Sequence, residues 1–187
     1  GCKINTVTIS DAQYQYACRL VKDNGLESQI QIFNQDYRRI KGKYDKIVSI
    51  EMIEAVGHQF IPEYFSKISS LLKQDGLVAI QGITYNDQNF EKYKNSVDFI
   101  KKYIFPGSCL ISIAQISDVI KNYTDLALVD MEDITKHYAE TLFRWKEKQI
   151  NYCHVDLNVR IRAPFIYAFT SRRDKSCNFR ECSATCR

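Results

Sequence analysis

At 187 residues the chain is long enough to bury one domain's core without staples. A formal charge of +4 suits an anionic surface or substrate without demanding nucleic acid, and no apolar run approaches the ~18 residues of a membrane span. Cys2, Cys18, Cys109 and Cys153 are scattered as in a reducing compartment, while Cys177, Cys182 and Cys186 lack the close pairing of a zinc site, so no metal is expected.

Residues 3–9 alternate and carry Ile4, Val7 and Ile9, which predicts a strand. Ser10 and Asp11 cap a helix over 12–24, closed by Gly25 in the left-handed conformation. A second strand over 29–33 ends in Asn34, Gln35, Asp36 and Tyr37. Gly42 breaks the chain before a third strand over 44–50, whose Ile47, Val48 and Ile50 predict burial on both faces. That strand stops at Glu51, and Glu54 follows three residues on; a helical turn there puts both carboxylates on one face. An acidic helix start is the plainer reading of the pair.

Tyr64, Phe65, Ile68, Leu71 and Leu72 fall at helical spacing over 62–73, Asp75 and Gly76 end that helix, and 77–83 is a further buried strand. Short loops between alternating strands and helices argue a doubly wound, mostly parallel sheet. Residues 89–103 predict a single helix with Val97, Phe99, Ile100 and Tyr103 on one side and Lys92, Lys94, Lys101 and Lys102 around it, stopped by Pro106 and Gly107. Such a helix suits either a lid against an anionic bilayer or ordinary core packing. A helix over 112–122, a strand over 126–131 and a helix over 138–148 carrying Trp145 complete the pattern.

After Tyr152 the periodicity decays and arginines crowd the chain, among them Arg160, Arg162, Arg172 and Arg173. The chain is therefore divided into residues 1–152 and a divergent segment over 153–187, read as disordered or as translated out of frame near Arg172 and Arg173.

Ligands of open α/β sheets sit outside the carboxyl ends of the strands. Those ends carry Thr8, Ser10 and Gln13, then Asp36 and Tyr37, then Glu51 and Glu54. Together they suit a ligand with hydroxyls, an amino group and an aromatic base. Ordinary cap and turn chemistry would explain each alone. No Gly-x-Gly loop precedes a helix, and His58, His137 and His154 read as surface histidines.

Five stretches carry a resemblance: 7–13 (VTISDAQ), 34–38 (NQDYR), 47–58 (IVSIEMIEAVGH), 99–107 (FIKKYIFPG) with Cys109 and Leu110, and 132–138 (EDITKHY) running through Thr141 and Leu142 to Arg144 and Trp145. In this order, over roughly residues 1–150, they resemble the cyclopropane-fatty-acyl-phospholipid synthases. The resemblance implies a Rossmann-like class I methyltransferase, with the fold's first strand and glycine loop expected upstream of Gly1. It implies S-adenosylmethionine as cofactor, bicarbonate as the anion that takes a proton, and a cis double bond of an unsaturated phospholipid as substrate. Glu54, Tyr138, Gln81 and the backbone of Ile83 would hold the bicarbonate, with Gln81 standing where several members place a histidine. Thr8, Ser10, Gln13, Asp36, Tyr37, Ile50 and Glu51 would hold the cofactor.

A cytoplasmic enzyme peripheral to the membrane follows from this reading, with a homodimer left open and no nucleic-acid partner. The rival readings are a small-molecule methyltransferase of the same fold and an inactive remnant or interaction module that binds S-adenosylmethionine weakly or not at all.

Overall fold

The computed structural model describes residues 1–150 and 164–171, and the chain divides into two units, Gly1–Gly42 and Lys43–Arg187. His154, Cys153, Cys177, Cys182, Cys186 and the expected tail, apart from 164–171, lie outside the described residues.

The first unit is a strand–helix–strand element. Strand β1 (Ile4–Thr8) runs parallel to β2 (Ile30–Asn34), with Thr8 beside Asn34 at their carboxyl ends. Helix α1 (Asp11–Asp23) connects them, starting where the Ser10 side chain accepts from the Gln13 N–H. It ends in a paired lock: Leu26 N–H donates to the Val21 carbonyl and Gly25 N–H to that of Lys22. That turn needs a left-handed residue, and Gly25 supplies it with φ of +65°. A short 3₁₀ turn, Tyr37–Arg39, follows under Asp36.

The second unit is built on β3 (Tyr44–Ile50), β4 (Leu72–Tyr85), β6 (Leu126–Asp133) and β7 (Pro164–Ser171), ordered β3-β4-β7-β6, with the short β5 (Ile111–Ser112) on β4. β3 and β5 pair with β4 in parallel, whereas β7 enters antiparallel to both neighbours. The helices are α2 (Ile53–Val56), α3 (Ile61–Leu71), α4 (Phe90–Lys94), α5 (Ile113–Tyr123) and α6 (Thr135–Ile150). Ile61, Tyr64, Phe65, Ile68 and Leu71 form one buried stripe on α3, and Ile116, Val119 and Ile120 another on α5. They belong to a core with Val78 and Ile80 of β4, Ile53 and Leu126. Burying side chains of this size contributes about 1.5–3 kcal/mol each against leaving them in water.

Several expectations need correction. Strand β3 is not buried on both faces: Val48 and Ile50 are 67% and 63% exposed. It is the edge of its sheet, and the face carrying Ser49, whose hydroxyl accepts from Tyr64, is the more covered one. The strand after α3 starts at Leu72 rather than Leu77, so Asp75 and Gly76 lie inside β4, beside a register shift against β3. A Cβ on Gly76 would sit 2.6 Å from Leu72 Cγ and 3.1 Å from the Asp45 carbonyl, so the close approach requires glycine.

The single helix expected over 89–103 is two pieces, α4 and a π turn at Ile100–Ile104. Asn95 Nδ2 donates to the Glu91 carbonyl at 2.8 Å and the Ser96 hydroxyl to that of Tyr93 at 2.8 Å. Short polar side chains thus cap the carbonyls that further helical turns would have used. Lys101 Nζ then fixes the corner, donating to the carbonyls of Tyr93 and Ser96 and lying 3.6 Å from the Tyr93 ring centroid. Finally, residues 164–171, assigned from composition to the divergent segment, form β7 in the middle of the sheet.

Candidate active site

In the second unit the carboxyl ends of β3 and β4 gather the acids. Glu51 continues the ladder, its N–H donating to the Gln81 carbonyl at 2.9 Å. Its φ of +49° makes it the one non-glycine residue with positive φ among the described residues, a conformation that costs an L-residue roughly 1–2 kcal/mol. Glu51 Oε1 accepts from Gln81 Nε2 at 3.1 Å. Three residues on, within α2, Glu54 Oε1 accepts from the Ile83 N–H at 2.5 Å, while its Oε2 is buried with no partner among the described residues.

The two acids are therefore unequal. Burial raises the Glu54 carboxyl above its ordinary range, the N–H of Ile83 and its own backbone pull it down, and the charge of Glu51 adds to the rise. Tyr138, near the start of α6, reaches the same place. Burial raises its phenol most, followed by the charges of Glu51 and Glu54 and hydrogen bonding to Glu51. Tyr138, Gln81, Ile83, Glu51 and Glu54 thus come together, with Ile50 exposed at the end of β3 beside them.

Two supports of this cluster escaped the sequence reading. Gly82 gives Glu54 its clearance: an added Cβ would lie 2.8 Å from Ile53 Cγ2 and 3.3 Å from Glu54 Oε1. A glycine inside an otherwise apolar strand is the signal that could have shown it. The second support is the block ending in Gly107. Cys109 N–H donates to the Glu54 carbonyl at 2.9 Å, and an added Cβ on Gly57 would lie 3.4 Å from the Gly107 carbonyl. Cys109, just past the 99–107 motif, therefore braces the turn that carries Glu54.

In the first unit the remaining candidates share the rim at the ends of β1 and β2. The Thr8 hydroxyl donates to Gln13 Oε1 at 2.8 Å and accepts from the Ser10 N–H, and Ser10 caps α1. Asp36 accepts from the Arg38 backbone and guanidinium, a pairing that holds its carboxyl down at about 2. Ser10 and Asp36 thus do the work of caps, with Tyr37 opening the following turn. Among the described residues the Gln13 amide nitrogen remains unspent on an exposed side chain, and each Asp36 oxygen keeps acceptor capacity. Among the described residues no group of three His, Cys, Asp or Glu is arranged for a metal, and no helix is long and apolar enough to cross a membrane.

A mostly parallel sheet with an antiparallel strand set between β4 and β6, flanked by helices, is the fold of class I S-adenosylmethionine-dependent methyltransferases. A cyclopropane synthase from Mycobacterium tuberculosis, MmaA2, superposes with a TM-score of 0.75 at 16% identity, over 90% of this chain and 70% of that one. The mycolic acid cyclopropane synthase CmaA1, solved with SAH and CTAB, gives 0.72 at 22% identity, over 90% and 69%. The sequence model of the mycolic acid cyclopropane synthetase family matches residues 1–168, and this chain belongs to that family. The match runs into β7, past the point where the resemblance was expected to stop.

Among curated relatives, the tuberculostearic acid methyltransferase UfaA1 of Mycobacterium tuberculosis (strain ATCC 25618 / H37Rv) is 40% identical over 148 residues, 79% of this chain and 35% of the relative. The cyclopropane-fatty-acyl-phospholipid synthase of Escherichia coli (strain K12) is 33% identical over 143 residues, 76% of this chain and 35% of the relative. A sphingolipid C9-methyltransferase of Candida albicans (strain SC5314 / ATCC MYA-2876) is 31% identical over 167 residues, 81% and 32%. The chain spans about a third of the length of these relatives.

Proposed function

We propose that this chain serves S-adenosylmethionine-dependent transfer of a methyl or methylene group to the cis double bond of an unsaturated phospholipid acyl chain, closing a cyclopropane ring. The observation that carries the reading is the cluster of Glu51, Glu54, Gln81, Ile83 and Tyr138 at the ends of β3 and β4, in a chain of this family. When bound, S-adenosylmethionine supplies an electrophilic methyl on a sulfonium. Thr8, Ser10 and Gln13 would hold its ribose and methionine side, and Asp36 and Tyr37 its adenine; a hydroxyl, an amide and a carboxylate with free lone pairs suit those groups. Attack by the alkene leaves a cation, which prearranged negative charge stabilises and from which a proton must leave.

Val97, Phe99, Ile100, Tyr103, Ile104 and Phe105 are all exposed next to Lys92 and Lys102. This supports contact with a lipid surface and an enzyme peripheral to the membrane. A second reading, a methyl-branched product, is favoured by the relative named a tuberculostearic acid methyltransferase.

Bicarbonate fits this site poorly. The donors that the resemblance assigns to it already face protein carboxylates: Gln81 and Tyr138 face Glu51, and Ile83 donates to Glu54. A third negative charge would meet two acids, and Glu54 Oε2, buried with no partner among the described residues, is an acceptor rather than a donor while ionised. No step is therefore routed through it.

The test is incubation with methyl-labelled S-adenosylmethionine and vesicles of cis-unsaturated phosphatidylglycerol, followed by mass spectrometry of the released fatty acids. The expected product is one CH₂ heavier, and NMR separates a ring from a branch. Label that enters no lipid but does enter a small acceptor would sink the lipid reading.

A further inference from the structure

Resting on the methyl-transfer reading above, we infer that the Glu51 carboxylate is the site's proton acceptor and stands where bicarbonate would otherwise sit. Three observations converge on it. First, Glu51 holds a left-handed backbone conformation, φ +49°, that glycine would adopt freely. A carboxylate kept at such a position indicates that the side chain is used. Second, Gln81 Nε2 donates to Glu51 Oε1 at 3.1 Å, and the Tyr138 phenol lies near enough to feel the charge of the same carboxylate. The groups that would orient a small anion thus orient this one, which the chain itself carries. Third, Glu54 is occupied differently: its Oε1 is tied to the Ile83 N–H, and its Oε2 is shut into the interior. Of the two acids, Glu51 is the exposed one, able to receive a proton and release it to water.

The step balances without an added reactant. The alkene's π pair forms the new carbon–carbon bond as the sulfur–methyl bond breaks, and the sulfonium becomes a neutral sulfide. A C–H bond of the transferred methyl then breaks. Its electron pair closes the ring onto the cationic carbon, and its proton passes to Glu51 and on to solvent. Glu51 is in this account a catalytic group rather than a cofactor ligand, with Gln81 and Tyr138 as positioning residues.

Two arms test this on the full chain. In the binding arm, ¹³C-bicarbonate is titrated against wild type and Glu51→Gly and followed by NMR line broadening, with circular dichroism confirming that both fold. Glycine removes the carboxylate and suits the backbone. Wild type is expected to show no saturable broadening, whereas Glu51→Gly shows it, because Gln81 and Tyr138 are released. Saturable binding to wild type overturns the proposal, and so does a glycine variant that binds no better than wild type.

In the turnover arm, wild-type activity is expected to be unchanged in bicarbonate-depleted buffer. Glu51→Gln, which keeps the shape but cannot take a proton, is expected to lose about a hundredfold or more. Added bicarbonate or formate is expected to restore part of the rate to Glu51→Gly. Wild-type activity that falls on depletion and returns with bicarbonate counts against Glu51. If wild type transfers no methyl to any lipid, the function proposed above fails and with it the proton-accepting role, while the binding arm still decides whether Glu51 occupies the anion's place.

Discussion

Residues 1–42 form two parallel strands and a helix in which no side chain is buried, and Leu20 of α1 is 52% exposed. The second unit places Ile53, Ile61, Tyr64, Phe65 and Ile80 at 0–1% exposure. The same kind of group, polar side chains at strand ends, is therefore held in two ways. Thr8, Ser10, Gln13 and Asp36 are held by local hydrogen bonds within a few residues of one another. Glu51, Glu54, Gln81 and Tyr138 are held by elements packed on a core, with partners far away in the chain. Local stability follows buried apolar contact, so the first rim is the part that deforms cheaply and the acid cluster the part that keeps its geometry.

The largest effect that tests this contrast is a cavity. Phe65→Ala is expected to cost about 3–5 kcal/mol, whereas Leu20→Ala, at a half-exposed site, should cost within about 0.5 kcal/mol. Urea unfolding of both variants checks it, and equal costs would erase the difference between the units. Next comes Gly82→Ala, which drives a methyl into Ile53 Cγ2 and crowds Glu54. Overpacking of this kind costs about 1–3 kcal/mol, and methyl transfer should fall further than stability because Glu54 must move. Unchanged activity in a folded variant would show that Glu54's position is unimportant.

A smaller loss is expected at the first rim. Ser10→Ala removes the cap of α1 and should cost about 1 kcal/mol, read from the same unfolding curves.

The subtlest contrast lies in pH dependence, where the two units carry opposite signs. Asp36, held down at about 2 from an ordinary 3.8, contributes stability that is fully present above the ordinary value and is lost as pH falls toward 2. Glu54 is raised, so the folded protein binds that proton more tightly than the unfolded chain does. Stability is therefore lost as pH rises from the ordinary 4.5 through the folded value. Glu54→Gln should flatten the decline above pH 4.5, and Asp36→Asn should flatten the acid limb. Denaturant midpoints across the range decide both, and an unaltered neutral limb in Glu54→Gln would refute the assignment of Glu54.

Much of this was legible along the chain. α1, α3, α5 and the first three strands fall within a few residues of where periodicity, Ser10 and Gly25 put them, because their signals are local and uncontested. The helix over 89–103 was misread because apolar spacing says nothing about competition for carbonyls, which Asn95 and Ser96 win. β7 was missed because arginine-rich flanks mask a short strand whose pairing partners, β4 and β6, lie elsewhere in the sequence. Within the site, Glu51 and Glu54 were found together because three-residue spacing is a local fact. Their different environments were not, since burial and partner choice depend on β4 and α6.

By itself the sequence determined which residues end the strands, that two acids share one turn, and which family's motifs occur in order. Only the tertiary structure decided that Gln81 and Tyr138 both face Glu51, that Ile83 is committed to Glu54, and that Glu51 sits in a conformation built for glycine. The physical reason is that hydrogen bonding and desolvation depend on what lies within a few ångströms, and chain order does not fix that distance until the sheet has formed.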